Sequence, residues 1–314
     1  MPSATTLYTT FCFAQPGQSA YLNNRFIRKR EITMTIEVTA AHGAGAYIAG
    51  VDLNTLNKTD IDTLRKSLGD YGVLFFRDQA ITCENHIRLA EQFGRININR
   101  FFTALPDYPQ IAQVLKEPDQ TQNIGELWHT DHSYDQIPAL GSILVARELP
   151  QSGGDTLFIS MIAAYNGLDA SMRKHLQGLT ATHSSRHVFG TKALKRHSQD
   201  DLGGRFKNAD AATQDSIHPV IIRHPISGAQ AIYVNPQFTL HINNLPADES
   251  NSLLIELYEH CKQEAYQHRF EWKPGSVAFW DNRATWHQAL NDYQGERRLM
   301  HRITIEGQPL TGRI

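Results

Sequence analysis

Between Thr59 and Tyr71 the apolar residues Ile61, Leu64 and Leu68 recur at three- and four-residue intervals. That spacing predicts an amphipathic helix, with Thr59 as its N-cap. The run "GVLFFRD" (72–78) is short, apolar and bounded by glycine and charge, so it predicts a buried strand. Thr82 is placed to cap a second helix carrying Ile87, Leu89, Ala90 and Phe93, closed by Gly94. From 95 to 128 periodicity fades and turn formers such as Pro106, Pro109 and Pro118 take over. This segment reads as a long loop around one strand, "QIAQVLKE" (110–117), and a loop of that length is often a functional lid. "GSILVARELP", "LTATHSS", "HPVIIRHP", "QAIYVN" and "GSVAFWDN" follow as strands, interrupted by helical stretches at 161–177 and 247–265. Many strands with inserted helices, and no regular β-α alternation, predict a mostly β fold with helical insertions, a sandwich or jelly roll. There is no internal repeat.

Composition narrows this picture. The first 33 residues show neither helical nor strand period and carry a basic cluster, Arg25, Arg28, Lys29 and Arg30. They are expected to be a disordered extension of a single domain over 34–314, with a mitochondrial-type presequence as the alternative. A secretory signal is not expected, because no basic segment followed by an apolar core opens the chain. No apolar run approaches the roughly 18 residues of a membrane span. A formal net charge of −2 without a basic stripe argues against nucleic acid as a partner. The three cysteines, Cys12, Cys83 and Cys261, are sparse and unpaired by motif. That pattern suits a reducing cytoplasm and leaves any metal to histidine and carboxylate. Homo-oligomer formation stays open.

The candidate chemistry starts at "GELWHTDHSY" (125–134). If His129 and Asp131 lie on one strand, their side chains share a face and His132 points away. One imidazole and one carboxylate are two thirds of the facial triad that holds non-haem Fe(II). An H-x-D alone is common by chance, so the third ligand has to be found elsewhere. Far downstream, "GSVAFWDNRATWHQALNDYQGERRLMHRITIEG" (275–307) offers His287, followed eleven positions later by Arg298. Among fifteen histidines a single one is more often a surface or core residue than a ligand.

The ordered set "WHTD", "GGDTLF" (153–158), "HPV", "HPISG", "VN" (234–235), "WDNR" (280–283) and "RRLMHR" (297–302) resembles the taurine and aryloxyacetate dioxygenases (TauD/TfdA type), from about residue 36 to 307. The resemblance implies a double-stranded β-helix (jelly roll) and Fe(II) held by His129, Asp131 and His287. It also implies 2-oxoglutarate contacted by Thr156 and Arg298, with O2 as the other cosubstrate. A planar guanidinium suits the far carboxylate because it pairs both oxygens. Related halogenases lack the carboxylate ligand, so Asp131 implies hydroxylation, with succinate and CO2 as coproducts. Arg302 matches the arginine that grips an anionic head in relatives acting on sulfonates, alkyl sulfates or aryloxyalkanoates; a surface strand charge is the bland alternative. Taurine itself fits less well. Where taurine enzymes carry a histidine, an asparagine and a loop tyrosine, this chain has Asn99, Gly125 and Phe102. Phe101, Phe102 and Leu105 instead offer apolar surface for a tail or ring. His132 is a further candidate for the substrate pocket, or a surface imidazole. The expected partner is thus a small anionic organic substrate. Taurine dioxygenase proper and an oxygenase of a biosynthetic intermediate are the alternatives, and a zinc hydrolase or a non-redox metal-binding protein is least favoured.

Overall fold

In the computed structural model, which describes residues 35–197, 205–213 and 215–312, the first helix is Lys58–Tyr71. Its cap is Asn57, not Thr59. The Asn57 side chain accepts from the Asp60 N–H, and the Asp60 carboxylate accepts from the Asn57 N–H. This reciprocal box satisfies two otherwise orphaned donors. Thr82 does cap Cys83–Glu91, accepting from the Asn85 N–H. That helix stops at Glu91, short of Gly94. The predicted extension at 1–33 lies outside the described residues. Among those residues, no helix is long and apolar enough to cross a membrane.

The segment 95–128 is more ordered than its composition predicts, for it contains Ile96–Asn97, Ala104–Leu105 and Tyr108–Lys116. Its backbone groups are satisfied by pairing with Arg298–Ile305, a partner that local sequence cannot announce. The predicted strand at 218–225 is two strands in different sheets, Asp215–Pro219 and Ile221–Arg223. The helical stretch at 161–177 is likewise two helices, Met161–Gly167 and Ala170–His175, the second capped by Asp169. Ala247–Cys261 ends four residues before the predicted limit of 265.

Nine strands form the main sheet. In spatial order it runs Glu37–Ala40, Ala46–Ala49, Val73–Phe76, Val277–Asp281, Gly141–Glu148, Arg298–Ile305, Tyr108–Lys116 and Ala104–Leu105, with Ile96–Asn97 also on Arg298–Ile305. Only the Ala46–Ala49 and Val73–Phe76 pair is parallel. Alternation decides the layers. Leu74, Phe76, Ile143, Val277 and Phe279 face Leu64, Leu68 and Leu89 of the two helices. Val73, Phe75, Ala278, Trp280 and Met300 face the other way, onto Phe158 and Phe270 of a three-stranded sheet. Both faces are covered, which is why "VLFF" and "VAFW" read as unbroken apolar runs. The small sheet orders as Gln267–Phe270, Thr156–Ser160, Thr285–Ala289, and Phe270 stacks on Phe75 with centroids 4.5 Å apart. The chain is therefore mostly β with few helices, and the small sheet positions the site.

Candidate active site

His287 sits on Thr285–Ala289, opposite Phe158, while Ala289 is opposite Thr156. Strand alternation puts His287, Phe158 and Thr156 on one face of the small sheet. His129 joins from another segment by a two-way backbone bridge: its N–H donates to the His287 carbonyl at 3.1 Å and receives the reverse bond at 2.8 Å. Two motifs hold this junction. The Asp281 carboxylate accepts from Arg283 Nε at 2.8 Å and Nη2 at 2.6 Å, and lies 3.0 Å from His224 Nε2. This buried network fixes the turn that launches the His287 strand. The Thr130 hydroxyl, between the two upstream candidates, donates to the Asn282 carbonyl of that same turn.

Asp131 is not on a strand with His129. Only His129 makes a bridge; a turn begins at Asp131, and His132 has φ +61°. The turn brings the carboxylate under both rings, so convergence survives although its predicted cause does not. His129 Nε2 lies 3.7 Å from Asp131 Oδ1, and His287 Nε2 lies 3.7 Å from Oδ2. One donor atom from each of the three can be chosen with all within 4.8 Å of one another, the only such cluster among the described residues. His129 Nδ1 lies 2.7 Å from the Leu127 carbonyl, which can only accept. Nδ1 therefore carries the proton and Nε2 keeps its lone pair. Burial lowers both imidazole pKa values, that of His287 strongly, which favours the neutral ligand form. Burial opposes ionisation of Asp131, but Arg302 first and then the two imidazoles more than offset it, holding the carboxyl below its ordinary range. Two neutral imidazoles and one carboxylate suit Fe(II), with the remaining coordination positions open to ligands.

Arg298 is 4% exposed, and its Nε and Nη2 have no partner. Among the described residues no carboxylate forms an ion pair with it. Gly154 permits this placement. It has φ +70°, and a Cβ there would lie 3.1 Å from Arg298 Cδ. Thr156 and Arg298 line the same cavity as His129, Asp131 and His287. So does Arg302, whose Nη1 lies 3.3 and 3.2 Å from the two Asp131 oxygens. Its Nε is buried without a partner, and the Phe102 ring lies 4.5 Å from its guanidinium carbon.

Two predicted pocket residues fall elsewhere. The Asn99 carboxamide oxygen accepts from the Phe101 and Phe102 N–H groups, so Asn99 shapes the loop instead of lining the cavity. His132 is buried, with Nδ1 2.8 Å from Asp135, and does not line the cavity either. The sequence reading missed Tyr134, Phe189, Phe206 and Phe238, which complete an aromatic wall with Phe102. It also missed Trp272, whose indole N–H donates to Thr156 Oγ1 at 3.0 Å.

Comparison with known proteins gives a consistent result. Residues 36–304 match the family described as taurine catabolism dioxygenase TauD, TfdA family. The alpha-ketoglutarate-dependent 2,4-dichlorophenoxyacetate dioxygenase of Burkholderia sp. (strain RASC) is 31% identical over 269 residues, covering 81% of this chain and 88% of that protein. The alpha-ketoglutarate-dependent sulfate ester dioxygenase of Pseudomonas putida is 30% identical over 273 residues, covering 85% of this chain and 88% of that protein. The crystal structure of a taurine dioxygenase from Burkholderia xenovorans superposes with a TM-score of 0.72 at 31% identity, covering 88% of this chain and 91% of that one.

Proposed function

The chain belongs to the TauD/TfdA family and is a 2-oxoglutarate-dependent dioxygenase working with Fe(II) and O2, and from that premise we propose that it hydroxylates a C–H bond of a small organic anion, of the sulfonate, sulfate ester or aryloxyalkanoate type. Its sheets form the two halves of a double-stranded β-helix with the metal at the mouth. His129, Asp131 and His287 hold Fe(II), and Thr156 and Arg298 receive the far carboxylate of 2-oxoglutarate. The chemistry supplied by bound Fe(II) is oxidative: O2 and 2-oxoglutarate are consumed, one oxygen atom enters the substrate C–H bond, and succinate and CO2 leave. The protein's own residues bind, orient and exclude water. Arg302 takes the anionic head with the N–H groups not spent on Asp131, which holds the substrate beside the metal. The aromatic wall takes the ring or tail and keeps water from the reacting carbon. Where that carbon bears a sulfonate, sulfate or aryloxy group, the hydroxylated product collapses to sulfite, sulfate or a phenol plus a carbonyl compound.

The observation that carries this reading is the buried Nε donor of Arg302, unpartnered in a wall that is otherwise largely apolar. A buried donor without an acceptor is costly, and an anion supplies one. The relatives named for 2,4-dichlorophenoxyacetate and for sulfate esters support the class, since both names denote anions. A panel of such anions, assayed for coupled succinate release, tests it. Arg302→Ala should lower kcat/KM for the preferred anion about tenfold to a hundredfold, because a hydrogen bond to a charged group is worth roughly 1.5–3 kcal/mol. Uncoupled succinate formation should persist. Preference of the wild-type enzyme for neutral substrates would overturn the anion assignment and leave the iron and 2-oxoglutarate assignment standing.

A further inference from the structure

Trp272 does not line the cavity, yet it touches both residues assigned to the far carboxylate of 2-oxoglutarate. Gln267–Phe270 pairs with Thr156–Ser160 so that Phe270 lies opposite Thr156, and Trp272 follows two positions on. The indole is 7% exposed and its Nε1 donates to Thr156 Oγ1 at 3.0 Å. The same ring lies 5.8 Å from the Arg298 guanidinium carbon. An indole N–H can only donate, and a threonine hydroxyl has one hydrogen and two lone pairs. With one lone pair engaged by Trp272, the hydroxyl hydrogen is left to donate elsewhere. Arg298 cannot accept it. We propose that Trp272 is a positioning residue that fixes the polarity of this end of the pocket: it occupies the acceptor side of Thr156, turns the hydroxyl hydrogen into the cavity, and steadies Arg298. Every group offered there is then a donor, which suits a carboxylate and disfavours an amide, an alcohol or a protonated acid. This inference rests on the assignment of Thr156 and Arg298 to 2-oxoglutarate.

Trp272→Phe keeps an aromatic face and deletes the N–H. In the full-length enzyme it should raise KM for 2-oxoglutarate about three- to tenfold, with kcat and the KM of the organic substrate unchanged. Calorimetry on Mn(II)-loaded protein should show the same loss in 2-oxoglutarate binding. Pyruvate, which has the chelating end and no far carboxylate, should bind as it does to wild type. In a Thr156→Val background Trp272→Phe should add nothing. Equal weakening of 2-oxoglutarate and pyruvate, additive losses, or no change in 2-oxoglutarate binding each overturn the proposal. Arg298→Ala and Thr156→Val separate the two assignments. If neither impairs 2-oxoglutarate binding, the clamp itself is wrong; if they do and Trp272→Phe does not, only the role of Trp272 falls. Should Trp272→Phe fail to fold, the indole 15N–H resonance of Trp272 decides: it must move in Thr156→Val, and an unmoved signal overturns the proposal.

Discussion

Asp131 is the only anion among the three proposed ligands and also the acceptor for Arg302. Asp131→Ala should abolish coupled hydroxylation even at saturating Fe(II), and near-normal turnover in that variant would sink the ligand assignment. Arg298→Ala should raise KM for 2-oxoglutarate roughly a hundredfold or more, since loss of one partner of a buried charge pair costs on the order of 3–5 kcal/mol. Iron affinity should hardly move. A second kind of residue governs pH dependence. His86 is pushed down to about 3 and His301 to about 4, in each case by burial first and then by the Arg147 charge. Their folded pKa values lie below the ordinary imidazole value, so the unfolded chain binds protons first. Stability is therefore fully present above about pH 6.5 and is lost as pH falls through about 4. Urea midpoints between pH 7 and 4 should show this decline, and His86→Gln should flatten it. At this scale the sequence was legible where chemistry demands a residue type. The two imidazoles and the carboxylate converge as expected from their motifs. Asn99 and His132 do not line the cavity; Asn99 Oδ1 accepts from loop backbone and His132 Nδ1 lies beside Asp135, and nothing in composition separates such a role from ligand binding.

Elements were legible where one face or one cap dominates. The two N-terminal helices announce themselves through periodicity, but Thr59 lost the cap to Asn57: both have an aspartate three residues on, yet Asp60 closes the box with Asn57 while Asp62 pairs with Lys58. Asn57→Ala should cost about 1 kcal/mol of stability, and Thr59→Ala much less, as read from denaturant midpoints. The short strands Thr156–Ser160, Gln267–Phe270 and Thr285–Ala289 were not separately predicted, although they carry Thr156 and His287. Each spans only four or five residues, too few for a period to show, and each is stabilised by its neighbours. The loop carrying Phe101 and Phe102 packs against Phe189, with Phe101 and Phe189 stacked at 4.4 Å. Phe102→Ala should weaken turnover of aromatic or long-chain anions and spare small ones, because it removes apolar contact and leaves the charge of Arg302 in place. Equal loss across a size series of anions would place Phe102 outside the substrate's reach.

Across the whole molecule, short apolar runs bounded by turn formers pointed to the β-rich class, whereas the pairing order of the sheets depends on contacts between distant segments and left no local trace. Metal binding acts at this scale too. A ligand that binds only the folded state stabilises it by about 2.7 kcal/mol at a hundred times its Kd. For a domain of this size that is a rise in Tm of roughly 4–6 °C. Mn(II) should produce such a rise in thermal scans of the wild type, and Asp131→Ala should lose most of it. The two-way bridge between His129 and His287 also carries a temporal consequence. A chain emerging from the ribosome presents His129 and Asp131 long before the strand that bears His287 exists. Closing so distant a contact is slow, and its loop entropy is offset only when both sheets have formed. Until then the nascent protein holds only two of the three proposed ligands. The proposed three-ligand set therefore predicts that metal loading follows the folding of the chain's final third.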